Sequence, residues 1–150
     1  MSAYTSIQII SGIRKLSRFL DKYSKYLNNK YQITLPQLLC LHEIQKEDGI
    51  NLTELTKRIN INNSAITGIV DRLEAKGYVQ RAKTGKDRRT INILLTEAGR
   101  EFTNRSFAIL EEDSFYDDGK INDEDAVSLM ESLNTIIGSL DPEVKKIDLV

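Results

Sequence analysis

Asn62, Asn63, Ser64 and Thr67 fall within six consecutive positions. All four are short side chains that both donate and accept hydrogen bonds. At the amino end of a helix such residues suit the edges of bases in the major groove of B-DNA. Arg72 and Lys76 follow one and two turns later, where long cations suit phosphate oxygens instead. A second cluster lies in Lys83-Thr84-Gly85-Lys86-Asp87-Arg88-Arg89. Its Lys86, Arg88 and Arg89 suit phosphates, or a narrow minor groove whose negative potential attracts arginine. Each cluster also has an ordinary reading, as the capping residues of a helix and as a solvated charged loop. Their order and spacing together favour a nucleic-acid surface.

Other chemistries find little support. Cys40 and His42 are two apart on a predicted helix, about 200° around its axis, and cannot form a nucleophile–base pair. Neither a glycine-rich phosphate loop nor a nucleophile elbow is present, so an enzyme is not expected. One His and one Cys fall short of a zinc ligand set. The acidic run from Asp113 to Asp125 fails as a calcium loop, because setting Gly119 sixth puts Tyr116 at the third ligand position. No cofactor and no metal are therefore expected. Cys40, flanked by Leu38, Leu39 and Leu41, reads as an inert buried thiol. A lone cysteine builds no intrachain disulfide, which fits a reducing compartment. No apolar run approaches the ~20 residues of a membrane span. Met1 to Ser11 lacks the basic start and apolar block of a secretory signal. The expected setting is the cytoplasm, without membrane contact.

The elements that would hold the two clusters are mostly helical. The chain has 150 residues, 40% of them hydrophobic and 29% charged, enough to bury one core. Its net charge of -1 hides a division: residues 1–50 carry +3, residues 51–100 carry +5, and residues 101–150 carry -9. The basic working surface is thus expected mid-chain. Apolar residues recurring every three or four positions predict an amphipathic helix over 5–29. Pro36 opens a second helix that ends near Asp48-Gly49. Thr53 can cap a short helix whose buried side is Leu55 and Ile59. Asn60-Ile61-Asn62 is a turn, and Asn62 or Asn63 caps the next helix, which buries Ile66, Ile69, Val70 and Leu73 and stops at Gly77. The period then changes to two, giving strands at Tyr78–Arg81 and Thr90–Leu95, a two-stranded hairpin with a basic tip. Helix returns at Thr96, breaks across Glu111–Lys120, and resumes behind an Asn122/Asp125 capping box.

A short helix, a tight turn, a helix of about four turns and a hairpin is the order of a winged helix-turn-helix. Through Leu52-Thr53-Glu54-Leu55, Ile69-Val70-Asp71-Arg72-Leu73-Glu74-Ala75-Lys76-Gly77, Asp87-Arg88-Arg89 and Leu95-Thr96-Glu97-Ala98-Gly99, the chain resembles the MarR family of bacterial winged-helix regulators. Helix order matches over nearly the whole chain, and the motifs match over about 35–100. The resemblance implies a fold that is mainly α with a small β-hairpin wing. Residues 35–99 would form the DNA-binding region, and 1–34 with 100–150 the dimerisation helices. It also implies a homodimer on a pseudo-palindromic operator, most often as a repressor. Ser64 and Thr67 would face bases, Arg72 the backbone, and one of Arg88 and Arg89 the minor groove, with Asp87 holding the wing arginine. Gly68 departs from the family, where a longer polar or basic residue is common; this bears on which operator is read.

The dimer has an argument of its own. The apolar stripes of the first and last helices exceed what so small a core can cover, and a second copy is the simplest cover. The resemblance further implies a cleft between dimer region and winged helix for a small, often aromatic or anionic, effector. Its lining would draw on Tyr23, Tyr26, Tyr31 and His42, residue types that more often belong to a core or an interface. Members of the family that sense peroxide carry their cysteine early in the first helix, and residues 1–39 here contain none. The rival function is a winged helix used for protein docking through the acidic C-terminal third, without sequence-specific DNA binding.

Overall fold

In a computed structural model of the chain, residues 1–83, 89–117 and 119–139 are described. Among them α1 spans Ala3–Tyr31, two residues longer at each end than the periodicity predicts. α2 is Leu35–Lys46, opened by a capping box between Thr34 and Gln37 with Pro36 in its first turn. The two-residue strand β1, Ile50–Asn51, leads into α3, Leu52–Ile59, and α4 is Asn63–Ala75. Strands β2, Val79–Ala82, and β3, Asn92–Leu95, precede α5, Glu97–Glu112, and α6, Asp123–Gly138.

Three local expectations change. The cap of α3 is Asn51 rather than Thr53: its Oδ1 accepts the Glu54 N–H at 2.8 Å, so the helix starts two residues earlier. Ile59 is half-buried beside the core, while Leu55 is fully enclosed. The hairpin gains a third strand, since β1 pairs antiparallel with β3 through Ile50 opposite Ile93, giving the order β1-β3-β2. A two-residue strand is too short to announce itself by alternation; its partner secures it.

One core joins α2, α3, α4, the sheet and α5. Leu41, Ile44, Leu55, Val70, Leu73 and Ile93 are wholly buried in it, each worth about 2 kcal/mol of apolar burial. Cys40 is enclosed in the same cluster, and burial pushes its thiol up to about 12. Tyr78 joins the parts. Its N–H donates to the Leu73 carbonyl at the end of α4, and its carbonyl accepts from the Thr96 N–H at the start of α5, both at 3.0 Å. Its ring stacks on Phe102, centroids 4.8 Å apart. Gly99 is required here, because a Cβ at that position would lie 1.9 Å from the Tyr78 oxygen.

The long helices are less covered. Of α1 only Tyr23 and Leu27 are buried, and α6 has no buried residue. Instead Ile7, Ile10, Ile13, Phe19, Val127, Met130 and Ile137 are exposed. The C-terminal part of α1 is fastened to the end of α5 at Asp113. Tyr23 Oη donates to the Asp113 carbonyl at 2.6 Å, Tyr26 Oη to Oδ1 at 2.8 Å, and Lys30 Nζ to Oδ2 at 2.7 Å, with Tyr31 Oη also on Oδ2. The Lys30 ammonium, then the tyrosine hydroxyls, hold the Asp113 carboxyl down to about 2.

A carboxyl held below its unfolded value near 3.9 contributes stability that is present above that value and lost as pH falls toward the folded one. Asp113→Asn should therefore melt below the unaltered protein at pH 6, with the gap closing between pH 4 and pH 2. Parallel melting curves across that window would show that the Asp113 charge does not fasten α1 to α5.

Candidate nucleic-acid interface

Helices α3 and α4 are set at an angle by a turn with three polar anchors. Asn60 closes α3 in the left-handed conformation, φ 55°, which asparagine tolerates better than most residues. The Ile61 N–H reaches back to the Thr56 carbonyl. Asn62 then caps α4, its Oδ1 accepting from the Ala65 N–H at 2.7 Å and from Ser64 Oγ at 3.1 Å. Burial of Ile66, Ile69, Val70 and Leu73 fixes which way α4 faces. The opposite side presents Asn63, Ser64, Thr67 and Arg72, all exposed.

On that face Thr67 Oγ1 donates to the Asn63 carbonyl at 3.1 Å, which leaves the hydroxyl oxygen able to accept a further hydrogen bond. Gly68 changes the surface in a way its sequence position does not reveal. A Cβ there would meet Arg72 Nη1 at 3.8 Å, so the guanidinium lies back along the helix over the glycine. The Arg72 guanidinium has no hydrogen bond or ion pair among the described residues. A cation is thereby carried one turn toward the polar amino end of α4.

The acids beside it are neutralised from the wing. Arg81 of β2 donates to Asp71 Oδ1 at 2.6 Å and to Glu74 Oε1 at 3.1 Å, and its backbone N–H donates to Glu74 Oε2 at 3.2 Å. Such partly exposed pairs add about 1 kcal/mol or less each. Their larger effect is directional: β2 is held against the flank of α4, and two carboxylates next to Arg72 are masked. This clamp is invisible to charge counting, though the three residues lie within eleven positions of each other.

Arg89, at the base of the wing, is exposed. With Thr90 and Ile91 it borders a groove of about 370 Å³ whose other wall is Asn51, Leu52, Thr53, Glu54 and Lys57. Lys57, absent from the sequence-derived set, so faces the same space as Arg89. Lys86, Asp87 and Arg88 lie outside the described residues. Lys76 does not join the others. Its ammonium donates to the Gln32 carbonyl and, at 3.2 Å, to Gln37 Oε1, and burial pushes its pKa down.

The four residues expected around an effector separate. A groove of about 550 Å³ runs between the end of α1 and α5, lined by Lys30, Tyr31, Gln32, Phe102, Arg105, Ala108, Ile109 and Glu112. Tyr31 borders it. All three tyrosine hydroxyls bond to Asp113, and of the three only Tyr31 also lines the groove. His42 Nε2 shares a hydrogen bond of 3.0 Å with Ser106 Oγ and meets the Phe107 ring edge-on; burial lowers its pKa, favouring the neutral ring. Arg105, which lies over the Phe102 ring at 5.3 Å, and Lys30 were not singled out by sequence. Their positions on two helices far apart in the chain gave no local signal.

Comparison with known proteins agrees with this geometry. The MarR family model matches residues 33–91. The chain is 31% identical over 120 residues to the HTH-type transcriptional regulator SarZ of Staphylococcus haemolyticus, covering 80% of each. The crystal structure of the transcriptional regulator BldR from Sulfolobus solfataricus superposes with a TM-score of 0.80 at 26% identity, covering 93% of this chain and 100% of that one. The structure of reduced AbfR bound to DNA has the same fold, with a TM-score of 0.76 at 20% identity over 92% of this chain and 96% of its own. No described helix is long and apolar enough to cross a membrane. The mainly helical chain with its small antiparallel sheet belongs to the MarR family of winged-helix transcriptional regulators.

Proposed function

We propose that this protein is a cytoplasmic homodimer that reads a pseudo-palindromic operator in double-stranded DNA, acts as a repressor, and responds to a small-molecule effector. The observation that carries the reading is the outer face of α4. Its buried stripe orients Asn63, Ser64 and Thr67 outward, and Arg72 lies over Gly68 beside them. Short hydrogen-bonding groups flanked by one cation suit a helix lodged in a major groove. Asn62 would act through the cap. Arg89, with Lys86, Asp87 and Arg88 of the wing, would meet the neighbouring backbone or minor groove.

Residues 35–99 would form the DNA-binding region, with 1–34 and 100–150 supplying the dimer. The exposed apolar residues of α1 and α6 support that division, since they are not covered by the described residues of one chain. In a two-fold dimer the two α4 helices would enter successive major grooves, ~34 Å apart. The effector would occupy the groove beside Tyr31, where Phe102 offers a ring and Arg105 a positive charge, Lys30 being paired with Asp113, a lining suited to an aromatic or anionic molecule.

Selection of duplexes from a random pool by the purified protein should enrich an inverted repeat with half-sites about one helical turn apart. On that duplex, Thr67→Ala should relax sequence preference at one position, a loss of about 1–3 kcal/mol of discrimination. Arg89→Ala should weaken selected and random duplexes alike and make the salt dependence shallower by about one. No enrichment, with affinity insensitive to salt, would favour protein docking instead. Ile10→Glu or Met130→Glu should halve the molecular mass in sedimentation equilibrium and abolish two-half-site binding; dimers that persist in both variants would move the interface elsewhere.

A further inference from the structure

The sequence groups Lys76 with the phosphate contacts, but its surroundings give it another task. It is the residue that closes α4. Its ammonium reaches the Gln32 carbonyl, 44 residues away in the chain, and Gln37 Oε1, 39 residues away. Both acceptors belong to the corner between α1 and α2. Gln32 ends α1 in the left-handed conformation, φ 58°, and the Gln37 side chain also accepts the Thr34 N–H that begins α2. No carboxylate pairs with Lys76 among the described residues. The ammonium is spent on two neutral oxygens although the side chain is exposed overall, and its partial burial lowers its pKa. Directly after it, Gly77 turns the chain toward the wing with φ 75°.

We propose that Lys76 is a positioning residue for DNA recognition, tying the carboxyl end of α4 to the α1–α2 corner and so setting the angle of α4 against the long helix α1. The leverage follows from helix geometry. Thr67 stands nine residues from Lys76, about 13 Å along the axis. A tilt of about 10° at the tethered end displaces Thr67 by about 2 Å, more than a base-edge hydrogen bond tolerates. Phosphate contacts, which are looser and more numerous, survive such a displacement. Gln32 also borders the groove beside Tyr31, so the tether runs from the wall of that groove to the helix that faces DNA.

The inference rests on the DNA-binding reading, and the two are tested separately. The unaltered protein's discrimination between a selected and a random duplex judges the reading. The tether is judged by affinities of Lys76→Met, Gln37→Met and the double variant for both duplexes between 50 and 200 mM salt, with thermal unfolding of each free protein. Lys76→Met should lose about tenfold on the selected duplex and little on the random one, with its salt slope unchanged. Gln37→Met keeps the cation and should lose in the same direction, and the double variant should lose no more than the larger single loss. Equal losses on both duplexes with a slope shallower by about one would make Lys76 a phosphate contact and overturn the proposal. Unchanged discrimination would overturn it as well, as would additive losses, or an effect on unfolding alone. Should Lys76→Met fail to fold, Lys76→Gln, too short to span both oxygens, carries the same comparison.

Discussion

The peptide of Tyr78 is the joint on which the rest of the molecule depends. Its N–H closes α4 through Leu73, its carbonyl starts α5 through Thr96, and its oxygen leaves no room for a Cβ at Gly99. Backbone hydrogen bonds of this kind do not slide, because each partner is already committed and a buried polar group left unpaired costs about 1–3 kcal/mol. Helix α4, the wing and the helix leading back to α1 therefore share one fixed point. The Arg81 clamp holds the wing to the flank of α4 beyond it, and Asp113 holds α1 to the far end of α5. Three attachments, none of them large, convert a set of helices into a body with a defined outer face.

The electrostatic character of that face is made by subtraction. Residues 51–100 are rich in lysine and arginine, yet several of those cations look inward or sideways. Arg58 lies among Glu43, Glu47 and Glu54, Arg81 covers Asp71 and Glu74, and Arg100 reaches Asp48. Those pairs consume acids as well as bases. What stays outward includes Lys57 and Arg72, and the carboxylates beside Arg72, Asp71 and Glu74, are paired with Arg81. Screening makes exposed charges additive only over about a Debye length, ~8–10 Å, so removing nearby acids matters as much as adding bases.

Much of this was legible in the sequence because its signals are local. The stripe Ile66, Ile69, Val70 and Leu73 orients α4 by spacing alone, and the Asn122/Asp125 capping box marks the start of α6 by residue type and a three-residue interval. Leu95-Thr96-Glu97-Ala98-Gly99 reads as a strand end and a helix start, and the fold supplies the reason for its glycine. What could not be read were relations between distant positions. β1 exists because Ile50 meets Ile93. The α3 cap shifted to Asn51 because the strand, rather than the helix pattern, sets where the chain turns. Tyr23, Tyr26 and Tyr31 look alike in the sequence, and only the fold shows that all three meet at Asp113 while Tyr31 alone also borders the groove. A lysine at a helix end gives no hint, by type, of whether it faces solvent or a carbonyl across a corner.

The single sulfhydryl carries a practical consequence. Cys40 is wholly enclosed against the core that α2 shares with α3, α4 and α5, with its thiol proton held tightly. A thiol in that setting reacts only during excursions that part the helices. The chain thus contains its own clock for core opening: the pace at which a thiol reagent consumes Cys40 reports how often the scaffold beneath α4 comes apart, with no label added to the molecule and no second cysteine to confuse the count.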